Sequence, residues 1–253
     1  MIKDTQNINL DKYLWIIGGG ILQVPLIEEA KKMGLKTIVT DFSNSCECRL
    51  LADIFIKLDI FDAEGHTKFY DSNFSSSNIK IVGVLAAGID AHETMAILAS
   101  HIGLPGVDPK ISSLVSNKDL FRKFMAENNF EIPRFEVITI DNIDNLETIA
   151  SKIGFPLIIK NTSSSGSRGT KIFYSCNISE MRKIALTAIE VSRSKKALIE
   201  SFWVGSEHTV ETIFDFKGNF HRCFITDREF DKSDGYALET GLIHPSRLQK
   251  EVQ

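Results

Sequence analysis

Apolar residues run without interruption through 13–17 and stop at Gly18-Gly19-Gly20, after which Leu22, Leu26, Ala30 and Met33 recur at helical spacing. A short unbroken apolar run bounded by a glycine turn reads as a buried strand, and a repeat of about 3.6 residues as one face of a helix. Pro25 falls in the first turn of that helix, where its missing N–H removes no bond, and Gly34 closes the other end. Further runs at 36–40, ending at Asp41, at 54–58 and at 79–85 read as three more strands. Strands alternating with helices predict a doubly wound parallel sheet with right-handed crossovers. Asp90 with Glu93 is a capping-box variant opening a helix whose apolar stripe is Ala91, Met95, Leu98 and Ile102, and Gly103 ends it.

After Pro105-Gly106 the texture changes, which predicts a domain boundary within 105–116 and two domains, 1–110 and 111–253. A helix over 117–128 turns Leu120, Phe121, Phe124 and Met125 inward. A strand at 135–139 precedes a helix with Ile143, Leu146, Ala150 and Ile153 on one face, then a strand at 156–160, a polar loop, and a strand at 171–174. Asn177 with Glu180 caps a helix carrying Ile178, Met181, Ala185 and Ala188. Extended segments follow at 197–202, 207–214 and 220–226, with Lys217-Gly218-Asn219 as the hairpin turn between the last two. The fold class is therefore α/β, a parallel-sheet domain followed by an α+β domain.

Composition narrows the function classes. In 253 residues, 29 basic and 33 acidic side chains leave a net charge of -4, which gives no electrostatic footprint for nucleic acid or an anionic membrane. Small-molecule partners are expected instead. The uncharged stretch 13–27 holds three glycines, Gln23 and Pro25 and is shorter than the roughly 20 residues of a membrane span. The polar, mixed-charge 1–12 does not read as a secretory leader, so a cytoplasmic location is expected. Cys46, Cys48, Cys176 and Cys223 lack paired metal spacing and read as buried or surface thiols, with Cys46-Glu47-Cys48 at most a weak metal hint.

Three segments carry candidate chemistry. Gly18, Gly19 and Gly20 follow a strand, and Asp41 ends the next one, about where a dinucleotide ribose contact would sit. Gln23 stands where that fingerprint has its third glycine, and turn glycines are common to many such sheets, so a structural role is equally open. Lys160 ends a strand and leads into Asn161-Thr162-Ser163-Ser164-Ser165-Gly166-Ser167-Arg168-Gly169, small residues whose N–H and hydroxyl groups suit an anion. The alternative is a polar hairpin. Glu200 and Glu207 flank a short glycine connector, placed to accept from an adenine amino group and ribose hydroxyls, or simply solvated on a turn.

Taken together, Asn117-Lys118-Asp119 at a helix start, 156–160 before the serine- and glycine-rich loop, and E-S-F-W-V-G-S-E-H-T-V at 200–210 resemble the ATP-grasp superfamily. The stretch 90–106 resembles the end of the domain preceding ATP-grasp in biotin carboxylase, carbamoyl-phosphate synthetase and carboxyaminoimidazole ribonucleotide synthetase. The resemblance implies that Lys118 and Lys160 contact nucleotide phosphates and that Ser163, Ser164, Ser165, Gly166, Ser167, Arg168 and Gly169 fold over them. It implies that Glu200 and the backbone of Trp203 meet adenine, that Glu207 holds the ribose, and that 131–203 is about the extent of a lid. The implied reaction is ATP-dependent ligation, a carboxylate activated as an acyl phosphate for attack by an amine or other nucleophile, with ATP and Mg²⁺ as cofactors. A homodimer fits it.

Two departures stand out. Asn161 replaces a common proline, and no Glu-x-Asn segment of the kind that holds the family's Mg²⁺ occurs before Gln253, so the metal ligands are expected beyond the end of this chain. The chain therefore reads as the N-terminal portion of such a ligase, either a fragment or a shortened protein. The alternatives are a non-catalytic nucleotide-binding protein and a nicotinamide-dependent oxidoreductase resting on the glycine turn. The substrate pocket is unassigned, with 227–246, including Arg228, Glu239 and His244, and the nearby Arg247 as candidates against a solvated loop.

Overall fold

A computed structural model describes residues 11–163, 169–215, 217–231, 235, 236 and 238–249. It divides into two compact units, Met1–Ser116 and Asn117–Gln253.

In the first unit, β1 (Lys12–Ile17), β2 (Lys36–Asp41), β3 (Ile54–Lys57) and β4 (Lys80–Leu85) form one sheet in the order β3-β2-β1-β4, every pair parallel. Central β1 is buried on both faces, which is why it reads as a continuous apolar run and not as an alternation. Its Trp15 and Ile17 pack with Phe74 and Leu98, on the side of α2 (Ala63–Asn73) and α3 (His92–Ile102). Ile16 faces the other way, into a cluster with Val39, Cys48 and Ile27 of α1 (Val24–Lys32). Pro25 does sit in the first turn of α1, and Gly34 and Gly103 take the left-handed φ of +72° and +79° that end helices. Ala30 of the expected stripe is buried, but Leu22, which falls in a separate 3-10 turn at 21–23, and Met33 are exposed, and Ile27 is buried as well. The Asp90 capping box is not formed: the N-cap is Ala91, one residue later, with no side-chain cap. The expected boundary segment holds a helix, α4 (Pro109–Ser116), which belongs to this first unit.

The second unit opens with α5 (Lys118–Glu127). Of its expected inward face, Phe121 and Met125 are half-buried. Leu120 and Phe124 are exposed, and the fully buried side chain is Asp119, which pairs with Lys196 at 3.3 Å. Strands β5 (Phe135–Ile138), β6 (Leu157–Asn161), β7 (Lys171–Phe173) and β8 (Ala197–Ser201) make an antiparallel sheet in the order β5-β8-β6-β7. Helices α6 (Leu146–Ile153) and α7 (Ile178–Val191) cover it, contributing Leu146, Ala150, Ile153, Met181, Ala185 and Ala188 to one core. Ile178 is exposed on the first turn, where Asn177 caps the Glu180 N–H at 3.2 Å. A second antiparallel sheet joins β9 (Glu207–Phe214), β10 (Phe220–Asp231) and β11 (Leu238–Ile243) in the order β11-β10-β9. The segment 227–246 is thus largely strand; its mixed charges face each other across β10 and β11, as Arg228 does Glu239 at 2.5 Å. Among the described residues no helix is long and apolar enough to cross a membrane.

Candidate functional site

The glycine turn of the first unit is closed upon itself. Gly18 N–H donates to Thr40 O at 2.8 Å, Gly19 N–H to Asp41 Oδ2 at 2.8 Å, and Gly20 N–H to Gln23 Oε1 at 3.0 Å. The other oxygen of buried Asp41 accepts from Ser43 N–H at 2.8 Å. Gln23, itself buried, donates on to Ala87 O and ties the turn to the end of β4. A dinucleotide turn needs amides aimed at a pyrophosphate, and here all three are engaged within the protein. The internal bonds of Gly18, Gly19, Gly20 and Asp41 favour the turn role over the ligand one. The neighbouring thiols are also structural. Burial first, then nearby negative charge, pushes Cys48 up to about 11, and its Sγ faces Gly20 O at 3.3 Å. Among the described residues no three His, Cys, Asp or Glu side chains are grouped to hold a metal ion.

The second unit holds a cleft of about 340 Å³ lined by Arg122, Met125, Ile158, Lys160, Glu200, Trp203 and Glu207, among others. Strand pairing assembles its polar floor: Ile158 of β6 is registered with Glu200 of β8, so Lys160, two residues on, points to the same face. Glu200 is buried, contrary to the solvated-acid alternative, and two cations share it. Lys160 Nζ bonds to Oε1, while Arg122 Nε reaches Oε2 at 2.9 Å and Nη2 reaches Oε1 at 3.4 Å. Burial alone would raise the Glu200 pKa, but the Lys160 charge and the hydrogen bonds from Arg122 and Lys160 outweigh it and hold the group below its ordinary value. Trp203 is half-exposed on the rim, a flat apolar surface beside these charges.

Around the cleft the other expected residues take distinct places. Lys118 N–H donates to Thr162 O at 2.9 Å, fixing the start of α5 to the residue after β6, and its side chain does not line the cleft. Ser163 is an anchor: its buried hydroxyl meets Ser192 Oγ at 3.0 Å and accepts from Ser194 N–H at 3.2 Å, beside Thr162, which bonds to the same two serines. Its hydroxyl is thus engaged within the protein. Gly169 has φ +66° and lies so close to α7 that a Cβ would stand 2.7 Å from Ala188 Cα. Ser164, Ser165, Gly166, Ser167 and Arg168 lie outside the described residues.

Glu207 also lines a second cleft, of about 260 Å³, with Ser206, His208, Asp227, Arg228, Arg247 and Leu248. Asp227 organises it, accepting from Ser246 Oγ at 2.5 Å, from Arg247 N–H at 2.9 Å and facing His208 Nδ1 at 2.9 Å. The Ser246 hydroxyl, the Arg247 amide and guanidinium and His208 together hold this carboxylate far below its usual range. Arg228 and Arg247 thus line this cleft, and Glu239 and His244 are not among its lining residues. Sequence reasoning missed Arg122. Its partner, Glu200, is 78 residues away, and no local pattern marks the pair.

Residues 117–233 match the family model described as carbamoyl-phosphate synthase L chain, ATP binding domain. The formate-dependent phosphoribosylglycinamide formyltransferase of Sulfurisphaera tokodaii is 26% identical over 254 residues, covering 95% of this chain and 59% of that protein. Among solved structures, the ADP complex of an N5-carboxyaminoimidazole ribonucleotide synthetase aligns with a TM-score of 0.72 at 20% identity, over 95% of this chain and 59% of that one. A biotin carboxylase domain dimer from Hydrogenobacter thermophilus, in complex with MgADP, ADP and bicarbonate, aligns with a TM-score of 0.69 at 18% identity, over 96% and 55%. At these identities the structures speak for the fold. The chain spans 59% of the length of the first of these relatives.

Proposed function

Starting from residues 117–233 as an ATP-grasp domain of the carbamoyl-phosphate synthase type, we propose that the chain binds ATP in the Arg122–Glu207 cleft and serves an ATP-dependent ligase. The observation that carries this is the cleft itself: a volume of about 340 Å³ with a buried carboxylate, two cations on it and an indole at its rim. Small-molecule sites typically measure about 300–1,000 Å³ and combine apolar walls with a few placed charges. Lys160 on β6 is the phosphate contact, reached when its ammonium turns from Glu200, and Lys118 at the start of α5 is the second. Glu200 and the backbone of Trp203 take the adenine edge, and Glu207 takes the ribose hydroxyls, which places the phosphates toward the loop that begins at Ser163.

In this reading ATP transfers its γ-phosphoryl group to a carboxylate, leaving ADP, and an amine attacks the resulting acyl phosphate at carbon, breaking the acyl C–O bond to expel phosphate and losing a proton as the carbon–nitrogen bond forms. What the protein supplies is position and charge around the transferred group. Arg228 and Arg247, on the cleft that shares Glu207, are placed to receive an anionic substrate. Mg²⁺ accompanies the nucleotide in this proposal, supported by the MgADP-bound relative. Among the described residues no three His, Cys, Asp or Glu side chains are grouped to hold it. Small molecules are the partners. A homodimer is supported by the dimeric relative, and a cytoplasmic setting by four cysteines that are all unpaired.

Calorimetry with ATP, with and without Mg²⁺, tests the reading. Micromolar to millimolar binding lost in Lys160→Ala is the expected result, and a chain that binds neither ATP nor ADP overturns it.

A further inference from the structure

Glu200 has two cations where one would neutralise it, and they hold it differently. Arg122 grips both oxygens with its fork, Nε at 2.9 Å and Nη2 at 3.4 Å, and its Nη1 rests 3.9 Å from Met125 Sδ. Lys160 touches one oxygen through a single ammonium on a flexible stem. All three side chains are largely buried, at 21%, 18% and 6% exposed for Arg122, Lys160 and Glu200. A buried carboxylate stripped of its only cation is strongly destabilised, but one that keeps a bidentate guanidinium is not. The geometry points to Arg122 as a positioning residue of the nucleotide site, one that keeps Glu200 paired and so releases Lys160 to the phosphates of a bound nucleoside polyphosphate. This rests on the nucleotide reading above.

The division of labour follows from the chemistry of the two side chains. A guanidinium is planar, always charged and matched to a carboxylate, whereas an ammonium is a compact charge that turns freely between acceptors. With Arg122 in place, Lys160 leaves an acceptor that is still satisfied. Without it, Lys160 is the sole counter-charge of a buried acid and stays there, so bound phosphates lose their cation although Lys160 is intact.

The test compares calorimetric affinities for ATP and adenosine, because their ratio isolates what the phosphates contribute. In Arg122→Gln that ratio should fall by about tenfold, the worth of a charged contact, while adenosine binding changes much less. In Glu200→Gln nothing holds Lys160, so adding Arg122→Gln should leave the ratio unchanged. Arg122→Lys keeps the charge without the fork and should give an intermediate loss, which serves as the test should Arg122→Gln fail to fold. An unchanged ratio in these Arg122 single variants overturns the inference, as does an equal fall in the Glu200→Gln background, which would make Arg122 a direct phosphate contact. A wild-type chain that binds neither compound removes the nucleotide site itself, a result distinct from both.

Discussion

Thr40 and His66 share a buried hydrogen bond, Oγ1 to Nε2 at 3.0 Å. His66 Nδ1 faces the carbonyl of Asp62 at 2.7 Å, so Nδ1 carries the proton and Nε2 accepts from Thr40. Thr40 in turn accepts from Trp15 Nε1 at 3.3 Å. The chain of donors works only with a neutral ring, and burial accordingly lowers the His66 pKa below 6.5.

That lowering sets a sign. The unfolded chain takes up the proton first, so stability is unaffected well above pH 6.5 and falls as pH drops through that value. A difference of one proton caps the slope due to His66 at about 1.4 kcal/mol per pH unit. Urea unfolding at about pH 7 and about pH 5, on wild type and His66→Gln, measures it. Equal slopes in both proteins would show that His66 is not the group responsible.

Lys160→Ala should weaken both nucleotide binding and folding. The sequence alone suggests a lysine with little to lose, but its ammonium pairs with buried Glu200. The expected stability loss is about 1.5–3 kcal/mol, the worth of a charged hydrogen bond, because Arg122 still neutralises the acid. Glu200→Ala should cost more, since it strands two cations. Glu200 lies below its ordinary value of 4.5, so its contribution is present above that pH and lost as the pH falls beneath it. Thermal melts of the two variants near neutral pH give the ranking, and the reverse order would contradict it.

Gly169→Ala should destabilise the second unit by about 1–3 kcal/mol, from left-handed strain and from a Cβ forced against the α7 backbone. Gly205→Ala is the control, because its Cβ meets nothing within 4 Å. Chemical denaturation of the pair should separate them clearly, and matching midpoints would mean that the Gly169 contact yields without cost.

Much of this was legible in the chain because the signals were local. The apolar runs of β1, β2, β6 and β8, the stripe Ile143, Leu146, Ala150, Ile153, and the cap at Asn177 are each decided within a few residues. Failures came where distant partners decide. Asp119 is buried only because Lys196 meets it, Leu120 and Phe124 are left outside, and a charged segment became β11 because Arg228 and Glu239 pair across strands. In the candidate site, Lys160, Glu200, Trp203 and Glu207 were readable as a set and do line one cleft. Arg122 was not, since nothing near it in sequence marks a partner 78 residues away. The partners of the glycine-turn amides, Thr40, Asp41 and Gln23, were likewise not readable from the turn itself.

The strand order β5-β8-β6-β7 has a consequence for how the protein is made. Of its two inner strands, β8 is the last of all four to leave the ribosome, and β5 has β8 as its partner in the sheet. Until residue 201 has emerged, β5 and the inner edge of β6 present unsatisfied backbone groups, and the carboxylate that gathers Arg122 and Lys160 has not arrived. Insertion of β8 closes the sheet and completes the ion cluster in one event, so a nascent chain halted before Ala197 should be captured by strand-binding chaperones, and one released after Ser201 should escape them.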